Sequence, residues 1–378
     1  MSKQGWAVLA LLLPALCSAQ NEQKAEVQIV VLPARPIIEH RGTDRLLNFD
    51  FVIRNEGAKP LHLNRIQVSL YDDSGKLAWQ RELDENGHPA GISTIEERDV
   101  KSGAAITVFN PFYEFGPELA FAKMEYRLFF NDSGYETATP LDHQSFADVS
   151  VSPVDYAVKT DLILPIAQRS LIFDGHDFYA HHRRQSPANP AFIKLGLRGN
   201  PVRYGYDFCP VDKDGNTYKD GNPYKKENWY GYGVPVIAPG SGTVVAAVND
   251  TPENDYKGKA VVYAEIPEND LDRVLSGNYV ILDHGNGEFS YFAHMRPGSV
   301  RVKKGDHVAQ GQQIAEIGFA GDAFIPHLHY MVMDSPNIVK AEGLPSYFRN
   351  FRRVLGSATQ SVAKGQIDSG DIVEASAK

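Results

Sequence analysis

The sequence predicts an all-β protein: an N-terminal antiparallel β-sandwich followed by a second β-sheet domain built on tightly turned small-sandwich (lipoyl-like) segments. Three observations carry that expectation. Short runs of alternating apolar and polar residues recur along the chain, Gly-, Asp- and Asn-rich turn signals punctuate them, and no amphipathic helix is long enough to support a parallel sheet. With 378 residues and 43% hydrophobic content, the chain can bury the cores of two domains.

Residues 1–19 read as a signal peptide. Lys3 is followed by the apolar run Trp6–Leu16 and then the small-residue ending Cys17-Ser18-Ala19. The run, about eleven residues, falls short of the roughly 20 needed to span a bilayer, and no later segment approaches that length. The expected mature protein is exported, periplasmic or extracellular, with no transmembrane segment. Bulky Leu16 before Cys17 speaks against a lipid anchor. Removal of the leader leaves Cys209 as the remaining cysteine, so no intramolecular disulfide is expected. The whole chain carries a formal charge of −9, which loss of Lys3 makes one more negative, and no basic run offsets it. General nucleic-acid binding is therefore excluded.

Residues 20–152 form the expected sandwich. Leu47–Ile53 and Ile66–Tyr71 alternate as strands do, and Asp73-Ser74-Gly75 and Asn131-Asp132-Ser133-Gly134 supply turns. His40, His62, His88 and His143 lie scattered here with no partner at ligand spacing, and are read as surface or turn residues. Residues 153–165 read as an extended connector, residues 166–353 as the second domain, and residues 354–378, small and polar without periodicity, as a disordered tail. Within the second domain, Val234–Ala246 and Val302–Gly318 both join short strands through glycine turns. His307 sits at such a turn and is read as solvated.

Chemistry concentrates in Phe324–Val332, where His327 and His329 alternate with apolar residues. On a strand, residues two apart share a face, so the two imidazoles project together while Leu328 packs behind them. That arrangement suits a metal site. Beside it stand Arg203-Tyr204-Gly205-Tyr206-Asp207-Phe208, Gly277–Gly287 and Tyr291-Phe292-Ala293-His294-Met295. Together with the glycine turns, and in this order, these motifs resemble the lysostaphin-type (LytM-like) zinc metalloendopeptidases that cut peptide cross-bridges of bacterial cell walls. The resemblance covers Arg203 to about Asp334.

The resemblance implies Zn2+ as cofactor, a lysostaphin-like β-sheet peptidase core, and peptidoglycan peptides or another polypeptide as substrate. It makes Asp207 the carboxylate ligand and His329 a histidine ligand, with His327 and His294 as non-ligand catalytic histidines flanking the metal's water. Zinc lowers the pKa of that water and polarises the scissile carbonyl. A neutral imidazole can take the water's proton, and a protonated one can stabilise an oxyanion. The family's further histidine ligand, four residues before the aspartate, is Arg203 here, and a guanidinium cannot ligate a cation. This chain thus looks like a variant branch in which a residue of Asp174–Arg184 completes the site. If that segment is extended, His181 and His182 face opposite ways, so one of them at most reaches the metal; His182 is taken as the ligand. An anion-binding His-Arg cluster is the alternative for that segment.

Other motifs carry weaker signals. Asp212–Asn216 and Asp220-Gly221-Asn222 suggest calcium, but the glycine spacing does not fit an EF-hand loop, and turn chemistry explains them. Cys209 shares Asp207's strand face, yet an exported metal-site thiol would be open to oxidation. Trp229–Tyr232 would line a groove or simply pack, and His284 ends a strand in a structural role. Two functional classes remain: a metallo-endopeptidase, or a degenerate peptidase-like module that binds cell wall or regulates a partner hydrolase. A lipoyl-type carrier is excluded because no lysine stands at the required hairpin tip.

Overall fold

The computed structural model of the chain describes residues 23–376, apart from 86–89, 120–121, 132–143 and the single positions 187, 195, 220 and 268. The expected leader, His88 and His143 lie outside the described residues. Strands dominate; Pro190–Lys194 and Leu271–Ser276 are the α-helices among the described residues. No described helix is long and apolar enough to cross a membrane.

In the N-terminal half, alternation sets the layers. Lys123–Asn131 pairs with Leu61–Tyr71 on one side and Gln144–Val151 on the other, within one sheet. Facing it are two smaller sheets, centred on Asp50–Asn55 and on Asp44–Leu47 with Ile37–Arg41. The inward residues of both layers, among them Phe51, Ile53, Val68, Val108 and Leu128, form one buried core. Phe51 meets Tyr126 edge-on at 4.9 Å across it. His62, read from sequence as a surface or turn residue, is instead buried on a strand between Asp99 (2.5 Å) of a neighbouring strand and Glu85 (2.6 Å) just past the end of another.

Connector residues 153–165 are bound at both ends. Val154–Asp155 adds in parallel to Ile37–Ile38, and the Glu288 carboxylate accepts the amides of Lys159 and Thr160, each at 2.8 Å. Leu162, Leu164 and Ile166 then enter the second core.

The second half is organised by one large mixed-length sheet. Its strands run in the order His307–Val308, Gly242–Ala247, Asn278–Asp283, Phe289–Met295, Leu328–Met333, Tyr206–Pro210, Ser170–Asp174, Ile372–Ala375, Phe348–Leu355 and Ala358–Gly365. All six residues of Leu328–Met333 are buried because both faces are covered. Leu328, Tyr330 and Val332 join the main core, whereas Met331 and Met333 pack on the opposite face under Ile338 and Ala341. His329 shares that second face, near the middle of the sheet.

The expectation of a disordered tail from 354 is corrected. Ala358–Gly365 forms the sheet's edge strand, and Ile372–Ala375 inserts between Phe348–Leu355 and Ser170–Asp174. Ile367 and Val373 are fully buried. The segment holds few apolar residues, so no periodicity marks it; backbone pairing and ion pairs such as Arg353–Asp371 and Arg352–Glu374, both at 2.8 Å, fix it instead.

Candidate metal centre

Register assembles the site. In the antiparallel ladders Asp174 stands opposite Asp207, Asp207 opposite His329, and His329 opposite Ala293, so four neighbouring strands present one row of side chains on one face. His327 lies two residues before His329, at the entry to its strand, and joins the same face. His329 Nδ1 is 3.0 Å from Asp207 Oδ1, and His327 Nε2 is 3.4 Å from the same oxygen.

His182 arrives from outside the sheet. After Ser170–Asp174 the chain turns back, and the Asp174 carboxylate accepts the amides of His181 (2.7 Å) and His182 (2.6 Å), fixing the 3-10 turn His182–Arg184. The residues around His182 therefore form a turn, so the extended condition under which His181 and His182 would alternate does not hold. The turn leaves the His181 side chain 82% exposed and drives His182 inward, where its Nε2 lies 3.6 Å from Asp207 Oδ2. His182 Nδ1 is 3.0 Å from Asp174 Oδ2, close enough for electrostatic steering though not aligned as a hydrogen bond.

His182, Asp207 and His329 thus offer two nitrogens and an oxygen, all within 4.8 Å of one another. Metal–ligand bonds of about 2.0–2.2 Å in a tetrahedron would separate donors by roughly 3.3–3.6 Å. His329 Nδ1 lies 3.0 Å from one Asp207 oxygen and His182 Nε2 3.6 Å from the other, both near that range, and imidazole nitrogens with a carboxylate are donors that zinc accepts. Gly205 makes room for it. A Cβ there would stand 3.2 Å from His182 Nδ1, 3.3 Å from His329 Cε1 and 3.0 Å from the Val202 carbonyl.

Two imidazoles flank the cluster with fixed tautomers. His294 Nδ1–H donates to the Ala320 carbonyl at 2.8 Å and His327 Nδ1–H donates to the Ile325 carbonyl at 2.8 Å, leaving each Nε2 to face the site. Their ring centroids are 4.7 Å apart. His294 holds a left-handed backbone, φ 65°, which a non-glycine residue adopts only when its surroundings impose it. Gly318 helps impose it, donating its amide to the His294 carbonyl at 2.9 Å with backbone packed where a Cβ would stand.

Electrostatics separates these groups. Burial opposes ionisation of Asp207, but the charges of His182 and His327 and hydrogen bonds from His327 and His329 outweigh it and hold the carboxyl well below its usual range. Asp174, across the ladder, is pushed up by burial and by Asp207's charge against the influence of His182. Burial lowers His294 strongly, reinforced by His327 and His329. Burial lowers His329 too. His327 moves up: burial opposes its charge, and Asp207 more than compensates.

His182, Asp207, His294, His327 and His329 line a cavity of about 240 Å³, whose further walls include Leu197, Leu275, Met331 and Ile338, with Phe324 and Asp322 at its mouth. Arg203 does not reach it. Its guanidinium is buried against Asp50 (2.7 Å) and Glu342 (2.5 Å), so the ligand position of the resemblance is an ion-pair position here. Cys209 is buried, and burial pushes its thiol well up, consistent with a packing role. Asp212 closes a turn on the amides of Asp214 and Asn216, both at 2.9 Å. Trp229 and Tyr232 stand apart from the cavity, donating to the Pro223 carbonyl and to Glu253. His284 bridges the Ser241 carbonyl and Ser290. Asp174 was not singled out from sequence; its place in the Asp174–Arg184 segment was the sole signal, since its role depends on strand register.

Residues 229–342 match peptidase family M23. The chain is 34% identical over 94 residues, 25% of its length, to the peptidoglycan DD-endopeptidase ShyA of Vibrio cholerae serotype O1. It is 31% identical over 139 residues, 36% of its length, to ShyB of the same organism. It spans 20% and 29% of those relatives' own lengths. Among solved structures, the lysostaphin catalytic domain from Staphylococcus simulans is 21% identical with a TM-score of 0.25, covering 47% of this chain and 88% of that one. A zinc-containing peptidase from Vibrio cholerae is 15% identical with a TM-score of 0.20, covering 60% and 80%.

Proposed function

We propose, on the premise that this chain carries a peptidase family M23 domain, that it is an exported zinc metalloendopeptidase hydrolysing peptide bonds of bacterial peptidoglycan. The observation that carries the reading is the cluster of His182, Asp207 and His329 with His294 and His327 beside it in one cavity. The DD-endopeptidase relatives supply the substrate class.

His182, Asp207 and His329 are the residues that would hold zinc. Bound zinc supplies Lewis acidity toward the scissile carbonyl and lowers the pKa of water. The protein's own groups handle protons and position. His294, kept neutral by burial, offers the Nε2 lone pair as a base. His327, whose Nδ1–H is held by the Ile325 carbonyl, points Nε2 at the site and in its protonated form would donate Nε2–H to a developing oxyanion. Asp174 orients the His182 turn in the manner of a carboxylate behind a metal-bound histidine. The apolar walls limit water around the reacting groups.

Arg203 favours a second reading, a module that binds cell wall without cutting it, because the usual ligand is lost. His182 answers that objection by supplying a third donor from elsewhere. The two readings part when purified, zinc-loaded protein is incubated with cross-linked muropeptides and the products are weighed by mass spectrometry. Cleavage that a chelator abolishes and zinc restores supports the peptidase. Intact cross-links beside retained sacculus binding would establish the module.

A further inference from the structure

We infer that the N-terminal sandwich is a working part of the metal centre: it clamps the 176–186 segment and thereby positions His182, with Arg203 as the latch between the two halves. The inference rests on the reading of His182 as a ligand. Asp207 and His329 are fixed by strand ladders, but His182 rides on a three-residue turn with no ladder of its own. Something else must hold it to the tolerance that a metal demands.

The second domain contributes Asp174 beneath the turn and Asn200, whose side-chain amide donates to the His182 carbonyl at 2.9 Å. The outer side of the segment is held by the sandwich. His176 Nε2 meets Glu39 at 2.5 Å with both side chains almost fully buried. Tyr113 stacks on Phe178 with centroids 3.9 Å apart, and the Arg183 guanidinium lies 3.9 Å above Phe178 on the way to Tyr113. Arg184 sits over Phe109 at 5.3 Å, and Ser186 shares a 2.6 Å hydrogen bond with Thr107. These contacts bracket His182 in sequence on both sides.

Arg203 ties the same two bodies together. It pairs with Asp50 from the sandwich and Glu342 from the second domain, and reaches the Leu32 carbonyl at 3.3 Å. The residue standing where the resemblance expects a ligand therefore acts through domain docking on the residue that replaces it.

Zinc affinity of the full-length chain, measured by competition with a chromogenic chelator and accompanied by the cobalt absorption spectrum, tests this. Tyr113→Ala and Asp50→Asn should each weaken zinc binding by about tenfold or more and alter the cobalt spectrum. Lys76→Ala, in an exposed turn of the sandwich, should match the wild type. If Asp50→Asn does not fold, Tyr113→Ala, which removes a half-buried ring, decides alone. Unchanged affinity and spectrum in both interface variants, with affinity lost in His182→Ala, would overturn the clamp and leave the metal site standing. Wild-type affinity in His182→Ala would overturn the ligand reading and the clamp with it.

Discussion

At the scale of residues, Asp174 and Asp207 face each other across a ladder, an arrangement that like charges disfavour. The pair is tolerated because imidazoles surround Asp207 and hold its carboxyl well below the usual range, while Asp174, raised by burial, accepts the amides of His181 and His182. A depressed carboxyl stabilises the fold above its unfolded pKa of about 3.9, and that contribution disappears as pH falls through the folded value. Metal-free Asp207→Asn should therefore melt below metal-free wild type at pH 7, with the gap closing below about pH 4. Thermal unfolding across that range checks it, and a gap that widens in acid would contradict the assigned charge. Gly205→Ala tests the room around the ligands: a Cβ at 3.2–3.3 Å from two imidazoles should lower zinc affinity while the far-ultraviolet spectrum stays native. His294→Ala and His327→Ala should retain zinc and lose roughly 10²–10⁴-fold in cleavage rate if each handles a proton.

At the scale of elements, strand alternation alone placed His327 and His329 on one face, because period two needs no tertiary knowledge. Alternation failed for Asp174–Arg184. The sequence leaves open whether the segment is extended; a side-chain cap on two consecutive amides makes it a turn, and such a cap leaves no periodic trace. The C-terminal strands were illegible for a related reason, since Ala358–Gly365 is small and polar and lives on backbone pairing at an edge. Val373 nevertheless fills the main core. Val373→Ala should cost about 2 kcal/mol in denaturant unfolding, and a chain ending at residue 355 should lose far more. A neutral effect of that truncation would return the segment to the status of a tail.

At the scale of the whole molecule, two β-rich halves were legible because turn signals and alternating runs repeat along the chain. What joins the halves was not. Arg203 with Asp50 and His176 with Glu39 pair residues far apart in sequence, and no spacing rule reaches that distance. Arg203 illustrates the consequence. Read alone it marks a missing ligand; in the fold it is a buried cation with two carboxylates, and removing both should destabilise by about 3–5 kcal/mol, removing one by less. The most direct test of the account is the zinc content of the purified chain beside its His181→Ala and His182→Ala variants, by elemental analysis after mild dialysis. The account predicts about one zinc per chain in the wild type and in His181→Ala, and little in His182→Ala. A wild-type chain free of zinc, or equal zinc in all three, would contradict it.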